Sequence, residues 1–235
     1  KNLDKQAYWQ FLSEGKNSIS KIPEERWELL KGSNEIALRD PMHPYWGSFL
    51  ENIDAFDAYF FGISPREATL MDPQQRLLLK VTYEAILDAG FTRDTLKGSN
   101  TGVFTSLYPS QFAHLNKIDS DMDALYLPTG NATSIAANRL SYWLDLYGPS
   151  MIIDTACSSS LVAAHLACLH LQTHLCNLAL VCSAHINLFP SINLLLSKAK
   201  MLSPDGQCKT FDANANGYVP GEGAGVLVLK RLDQA

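Results

Sequence analysis

One stretch constrains the fold more than any other: Asp154-Thr155-Ala156-Cys157-Ser158-Ser159-Ser160-Leu161 joins two apolar segments of different character. Before it, Met151-Ile152-Ile153 reads as a short buried strand. After it, Leu161, Val162, Ala164, Leu166, Ala167 and Leu169 run almost without charge, the pattern of a buried helix. Three serines at the junction are suited to capping that helix, so Cys157 falls in the turn or the first helical residues. A thiol placed there meets unpaired backbone N–H groups at the positive end of a helix dipole. Both favour the nucleophilic thiolate, and the same N–H groups suit an oxyanion formed on an attacked carbonyl. Free cysteines are more often buried and inert, so this junction alone does not make Cys157 a catalyst.

The remaining pattern alternates strands and helices. Leu3–Leu12 reads as a helix with Tyr8, Trp9 and Leu12 on one stripe, and Ile22-Pro23 turns toward a short helix near Trp27. Leu30–Pro44 reads as loop, and Trp46–Phe61 mixes aromatic with acidic residues. Ser64-Pro65-Arg66-Glu67 has the form of a capping box with proline at the first helical position, and Asp72-Pro73-Gln74-Gln75 repeats it. The second box opens a long helix with Leu77, Leu78, Val81, Ala85 and Ala89 inward and Gly90 as its stop. Thr101–Ser106, Leu178–Ser183 and Ala224–Leu229 read as strands; Asn131–Leu144 and Ser191–Lys200 read as helices. Alternation of this kind implies a layered α/β architecture.

Composition narrows the function. The 235 residues are 46% hydrophobic with a formal charge of −5, and no Lys/Arg run offers a nucleic-acid surface. No apolar run approaches membrane-spanning length, and the polar start does not resemble a signal peptide, so the expected location is cytoplasmic. The five cysteines (Cys157, Cys168, Cys176, Cys182 and Cys208) form an odd set in apolar surroundings, as expected of reduced thiols. His165, His170, His174 and His185 raise the alternative of a zinc site. No Cys-x-x-Cys pair accompanies them, and the helix carrying His170 is expected to end near Thr173, so no metal is assigned. Gly221-Glu222-Gly223-Ala224-Gly225 precedes a strand and lacks the dinucleotide-loop spacing, and no phosphate-binding P-loop or Gly-x-Ser-x-Gly occurs. Asn131-Ala132-Thr133 is formally a glycosylation sequon. Asp154 is a poor base for Cys157, because a nearby carboxylate disfavours the thiolate; its expected role is to hold backbone N–H groups of the turn.

Several further stretches occur in a fixed order: Phe61-Gly-Ile-Ser-Pro-Arg-Glu-Ala68, Met71-Asp-Pro-Gln-Gln-Arg-Leu-Leu-Leu79, Gly130–Ser141 and Gly148-Pro149. Met201–Gly206, Cys208–Asp212 and Gly221–Gly225 follow the cysteine junction. In this set the chain resembles the ketosynthase (β-ketoacyl synthase) domain of modular polyketide synthases, kin of fatty-acid ketosynthases, over essentially its whole length. The resemblance implies a thiolase-like α/β fold, its N-terminal half, with residues 1–235 forming one ketosynthase N-terminal domain truncated at both ends. It implies that Cys157 takes an acyl chain from a carrier-protein thioester. A malonyl-type extender then decarboxylates and attacks the acyl-cysteine in a Claisen condensation. The partners implied are acyl carrier proteins bearing phosphopantetheine, with no cofactor or metal bound by the chain itself. A homodimer is implied too, with Leu125–Thr133 approaching the partner subunit's acyl pocket. Asp72 and Arg76 are implied to be structural.

The family's His-Gly-Thr-Gly-Thr, Asn-Ile-Gly-His and Gly-Phe-Gly motifs do not occur in these residues, nor does its opening Ile-Ala-Ile-Val-Gly-type strand. That strand is expected to lie centrally in the sheet. The chain is therefore expected to be an excerpt or a split piece, competent for acylation but not condensation. A non-catalytic scaffold and a thiol acyltransferase or hydrolase are the alternatives. Two departures stand inside the matched region. Cys182-Ser-Ala-His185 replaces a frequent Gly-Gly pair after a core strand, which puts the pocket shape in question. Pro220 stands where arginine is frequent, a feature also of polyketide synthases whose acyltransferase acts in trans.

Overall fold

A computed structural model describes residues 5–31, 45–116, 118 and 120–235. Most of the loop expected over Leu30–Pro44, positions 32–44, lies outside the described residues. In chain order the elements begin with α1 (Lys5–Ser13), β1 (Ser20–Lys21), α2 (Glu24–Leu29), β2 (Trp46–Gly47), α3 (Pro65–Leu70) and α4 (Pro73–Asp88). They continue with α5 (Arg93–Leu96), β3 (Thr101–Leu107), a 3-10 turn at Phe112–Leu115, α6 (Asp121–Asn131) and α7 (Thr133–Leu144). Then come β4 (Ser150–Ile152), α8 (Ser159–Gln172), β5 (Leu178–His185), α9 (Pro190–Lys198) and β6 (Gly223–Lys230). The chain divides into two compact units, Lys1–Ile53 with Ile186–Gly223, and Asp54–His185 with Ala224–Ala235. Among the described residues no helix is long and apolar enough to cross a membrane.

The first unit is organised around a buried ion pair. The Glu222 carboxylate accepts from Arg26 Nη2 at 2.6 Å and from the Leu50 backbone N–H at 2.8 Å, and its other oxygen accepts from the Asn187 N–H at 3.1 Å. Three stretches distant in sequence are thereby tied to one carboxylate. Burial pushes the Glu222 carboxyl up, and the Arg26 charge with the two backbone donors holds against that shift. Glycine-rich sequence around Glu222 suggested only a failed nucleotide loop; its acidic residue is a cross-brace. β1 and β2 pair antiparallel, Ser20 opposite Gly47 and Lys21 opposite Trp46. On α1, Tyr8, Trp9 and Leu12 are exposed, so the helix forms but its expected apolar stripe packs on no described core.

The second unit holds a four-stranded sheet in the order β4-β3-β5-β6. β3 and β5 pair in parallel over seven positions, from Thr101 opposite Leu178 to Leu107 opposite Ala184, and β4 pairs in parallel with the other edge of β3. This corrects the expectation of a further strand at the centre: β3 and β5 bond directly, so no position lies open between them. Residues alternate between the two faces. Val103, Leu180 and Cys182 pack with Leu78, Leu79 and Ile86 of α4 and Leu140 and Leu144 of α7. Phe104, Ala179 and Val181 pack on the opposite face with Ala163, Ala167 and Leu171 of α8. The result is a helix–sheet–helix sandwich, each large buried side chain contributing about 1.5–3 kcal/mol.

Local chemistry sets the helix starts. Ser64 Oγ accepts from the Glu67 N–H at 3.1 Å, and Asp72 Oδ1 accepts from the Gln74 N–H at 2.7 Å, each followed by proline at the first helical position. The reciprocal halves of the expected boxes are not made. Glu67 instead pairs with Arg139 at 2.7 Å, and Gln75 donates to the Ala132 carbonyl at 3.2 Å. The buried face of α4 is Leu78, Leu79, Thr82 and Ile86; of the expected Leu77, Leu78, Val81, Ala85 and Ala89, Leu78 is buried, Leu77, Val81 and Ala85 are half-buried and Ala89 is exposed, so the stripe is rotated. A long run rich in leucine and alanine supports either stripe; packing against β5 decides it. Gly90 at φ 78° ends the helix, with the Phe91 N–H closing onto Ile86 at 2.8 Å.

Gly148 shows how tightly the sheet is approached. A Cβ there would lie 2.3 Å from the Thr101 carbonyl oxygen, a backbone atom with nowhere to move. Gly148→Ala is expected to cost about 2–3 kcal/mol in urea unfolding, whereas Gly223→Ala, where a Cβ meets nothing within 4 Å, is expected to stay within about 0.5 kcal/mol.

Candidate functional site

The thiol of Cys157 lies where the sequence placed it, in the turn between β4 and α8, and its side chain is exposed. The turn is built by short hydrogen bonds. Asp154 Oδ1 accepts from the Ala156 N–H at 3.1 Å, the holding role expected of it. Ser159 Oγ accepts from the Thr155 N–H at 2.8 Å and donates to the Ala156 carbonyl at 2.7 Å. Ser158 Oγ donates to the Thr155 carbonyl at 2.8 Å and to Thr155 Oγ1 at 2.9 Å. The serines therefore brace the turn; Ser158, the N-cap residue, makes no side-chain cap bond. The Ser159 N–H is taken by the Ala156 carbonyl at 3.1 Å, and no capping side chain accepts from the next N–H groups of α8.

Ala156 carries the strain of the turn. Its φ of 54° is left-handed, which costs an alanine about 1–2 kcal/mol and is retained here by the surrounding bonds. That one reversed residue converts an extended strand into a helix start within a few positions, throwing the Cys157 side chain outward. All three parallel strands end on this side, β3 at Leu107, β4 at Ile152 and β5 at His185, the edge where α/β sheets place ligands. The helix behind the thiol is less buried than its composition implied. Only Ala163, Ala167 and Leu171 are fully covered, while Leu161 is 76% exposed. A single sheet face covers one stripe of a helix, and the four-residue spacing of those residues is that stripe.

The other cysteines, and the histidines of α8, separate from this site. Cys176 and Cys182 are buried, Cys168 and Cys208 exposed, and all five are free thiols. Burial pushes the Cys182 thiol up to about 12, with Thr82 Oγ1 3.8 Å from its sulfur. His170 Nδ1 lies 2.7 Å from the Leu166 carbonyl, and its ring meets Phe104 edge to face. Because α8 stops at Gln172 and His174 turns left-handed at φ 59°, His170 and His174 do not share a helix face. His185 is half-buried at the end of β5, and burial lowers its pKa. The Cys182–His185 stretch lies inside β5 and not after it.

Other expected positions form supports. Asp72 and Arg76 are buried at the start of α4, Asp72 as a helix cap with its carboxyl raised by burial, Arg76 with its pKa lowered by burial. α6 is anchored by Asp123, fully buried, which takes Arg66 in a two-bond fork at 2.6 and 2.5 Å. Asn131 donates to the Leu70 and Leu127 carbonyls at 2.8 and 2.7 Å and accepts from Ser110 Oγ at 2.8 Å, so the sequon's amide is fully engaged. Within the Leu125–Thr133 stretch, Leu125 is 57% exposed. A cavity of about 980 Å³ lies elsewhere, between Tyr59–Ile63, α5 and the C-terminal half of α7, on an aromatic floor of Phe60, Phe61 and Trp143. Its lining carries as many acidic as basic side chains, and the thiol is not part of it.

The β-ketoacyl synthase N-terminal domain family matches residues 1–235. A phenolphthiocerol/phthiocerol polyketide synthase polypeptide of Mycobacterium tuberculosis is 50% identical over 231 residues, covering 98% of this chain and 12% of that protein. A second polypeptide of the same synthase, from the same organism, is 45% identical over 235 residues, covering 98% of this chain and 15% of its own length. Among solved structures, a ketosynthase from module 6 of the bacillaene synthase of Bacillus subtilis, in a cysteine-to-serine form, superposes with a TM-score of 0.82 at 41% identity, over 98% of this chain and 38% of that one. An oxazolomycin ketosynthase domain from Streptomyces albus superposes with a TM-score of 0.84 at 34% identity, over 98% and 40%. The layered sheet is thus the thiolase-like ketosynthase fold that the motifs implied.

Cys182 yields a test of the burial argument. In the unfolded chain a thiol ionises near its ordinary value of 9.0, but the fold delays that to about 12, so folding gains stability from the neutral thiol below pH 9 and loses it as pH climbs from 9 toward 12. The unfolding free energy of Cys182→Ala is expected to fall less steeply than wild type between pH 9 and 10.5. Parallel slopes in denaturant titrations would show that this thiol does not contribute.

Proposed function

Because this chain belongs to the β-ketoacyl synthase family, we propose that its exposed turn cysteine is the acyl-accepting nucleophile of a carbon–carbon bond-forming reaction. The observation that carries the reading is the placement of Cys157, exposed on a strained turn one residue before the N-cap of α8, at the C-terminal edge of a parallel sheet. The Cys157 sulfur attacks the carbonyl of an acyl thioester carried on the phosphopantetheine arm of an acyl carrier protein. The tetrahedral oxyanion is met by backbone N–H groups at the start of α8, and the pantetheine thiol departs with the proton lost from Cys157. A malonyl-type extender on a second carrier protein then loses CO2. The resulting carbanion attacks the acyl-Cys157 thioester, Cys157 is released, and a β-ketoacyl thioester leaves.

The decarboxylating half draws on the family's two histidine motifs, His-Gly-Thr-Gly-Thr and Asn-Ile-Gly-His, which do not occur in residues 1–235. His165, His170 and His174 sit on or just beyond α8, downstream of the turn, and His185 ends β5. The acylation half is what these residues perform. The working form is a pair of subunits, with Leu125–Thr133 of one reaching toward the acyl pocket of the other; the anchored α6 with an exposed Leu125 supports that role.

Intact-mass spectrometry after incubation with an acyl-pantetheine thioester tests the reading. The wild-type chain is expected to gain one acyl mass, Cys157→Ala to gain none, and residues 1–235 alone to form no condensation product with a malonyl thioester. A mass gain that survives Cys157→Ala removes the thiol from the mechanism, and acyl-enzyme that decays to free acid points to a hydrolase.

A further inference from the structure

The face of the sheet that carries α8 changes its chemistry along the strands. Under the body of the helix it is apolar, with Phe104 from β3 and Ala179 and Val181 from β5 against Ala163 and Ala167. Two residues further along each strand, on the same face by alternation, Ser106 and Ser183 share a 2.7 Å hydroxyl hydrogen bond. Two more residues bring Tyr108 and His185, whose rings meet edge to face with centroids 4.7 Å apart and planes at 73°.

The direction of α8 fixes what lies beside that ring pair. Its far end stands by the start of β3, where a Cβ on Gly102 would lie 3.4 Å from Cys176 Sγ, so its N-terminus is at the strand C-termini. Register places the pair more closely. Leu107 faces Ala184, so the next step sets Tyr108 beside His185, and on the other edge of β3 Thr105 faces Ile152, the last residue of β4. At a strand spacing of about 4.8 Å, the end of β5 at His185 stands about 10 Å across the sheet from the end of β4 at Ile152, five residues before the thiol.

His185 is half-buried, and its ring nitrogens have no hydrogen-bond partner among the described residues. Burial lowers its pKa, so the ring is neutral at pH 7 and offers one donor and one acceptor. A partly desolvated imidazole left in this state gains most from a guest that bonds to it.

We propose that His185, backed by Tyr108, is a specificity-determining residue on the acyl side of Cys157, selecting acyl thioesters that carry an oxygen substituent close to the thioester by hydrogen-bonding to it. This rests on Cys157 being the acylated residue. One buried neutral hydrogen bond gives between about threefold and tenfold discrimination. Phenylalanine at this position keeps the ring contact with Tyr108 and removes both nitrogens, while glutamine keeps a donor and an acceptor.

The test is competition between 3-hydroxybutyryl- and butyryl-pantetheine thioesters for the full-length protein, read as the ratio of the two acyl masses in the early phase. Wild type is expected to favour the hydroxylated chain by about threefold to tenfold. His185→Gln is expected to keep that preference, and His185→Phe to bring the ratio near unity while still acylating. A wild-type ratio near unity, or a preference undiminished in His185→Phe, overturns the proposal. Cys157→Ala run alongside separates the two readings: label persisting there overturns the assignment of Cys157, whereas a clean Cys157→Ala control with an unmoved ratio overturns only the role of His185.

Discussion

The direct parallel pairing of β3 with β5 is the interaction on which the second unit depends. It runs over seven matched positions, and both cores are assembled on its two faces. β4 attaches to its other side in the same direction, which brings three strand ends to one edge of the sheet. The cysteine turn, the serine pair and the Tyr108–His185 rings all lie toward that edge because the strands are parallel. An antiparallel partner would have sent one of those strand ends to the opposite side.

Around that ladder the chain treats its thiols in opposite ways. Cys182 belongs to the face between the sheet and α4, where burial pushes it to about 12 and holds it as a neutral packing group. Cys157, on a turn beyond the end of β4, is outside both cores. Backbone geometry makes the difference: a left-handed Ala156 and bonds from Asp154, Ser158 and Ser159 hold a turn that hydrophobic burial alone would not stabilise. The first unit relies on a different device, a carboxylate at Glu222 that gathers Arg26 and two backbone donors. Such a buried pair resists the removal of either member, since the survivor is left as an uncompensated charge.

Much of this was legible in the residues. Proline after serine or aspartate marks the starts of α3 and α4, glycine marks the end of α4, and apolar runs between turn signals mark β3, β5 and β6. These signals are local, carried by φ preferences and by side chains that reach only a few positions. Readings that failed were the ones needing a partner from elsewhere. The stripe on α1 is exposed, the buried face of α4 is rotated, and the second halves of both capping boxes were given up to Arg139 and Ala132.

By itself the sequence determined the kind and order of the elements, the cysteine at a strand-to-helix junction and the family resemblance, because each is written in neighbouring residues. Only the tertiary structure decided that β3 bonds straight to β5, that Glu222 braces Arg26, and that His185 meets Tyr108 at the C-terminal edge of the sheet. Those facts join positions tens to hundreds of residues apart, and strand pairing and burial, not local preference, select which of the many apolar or charged candidates meet.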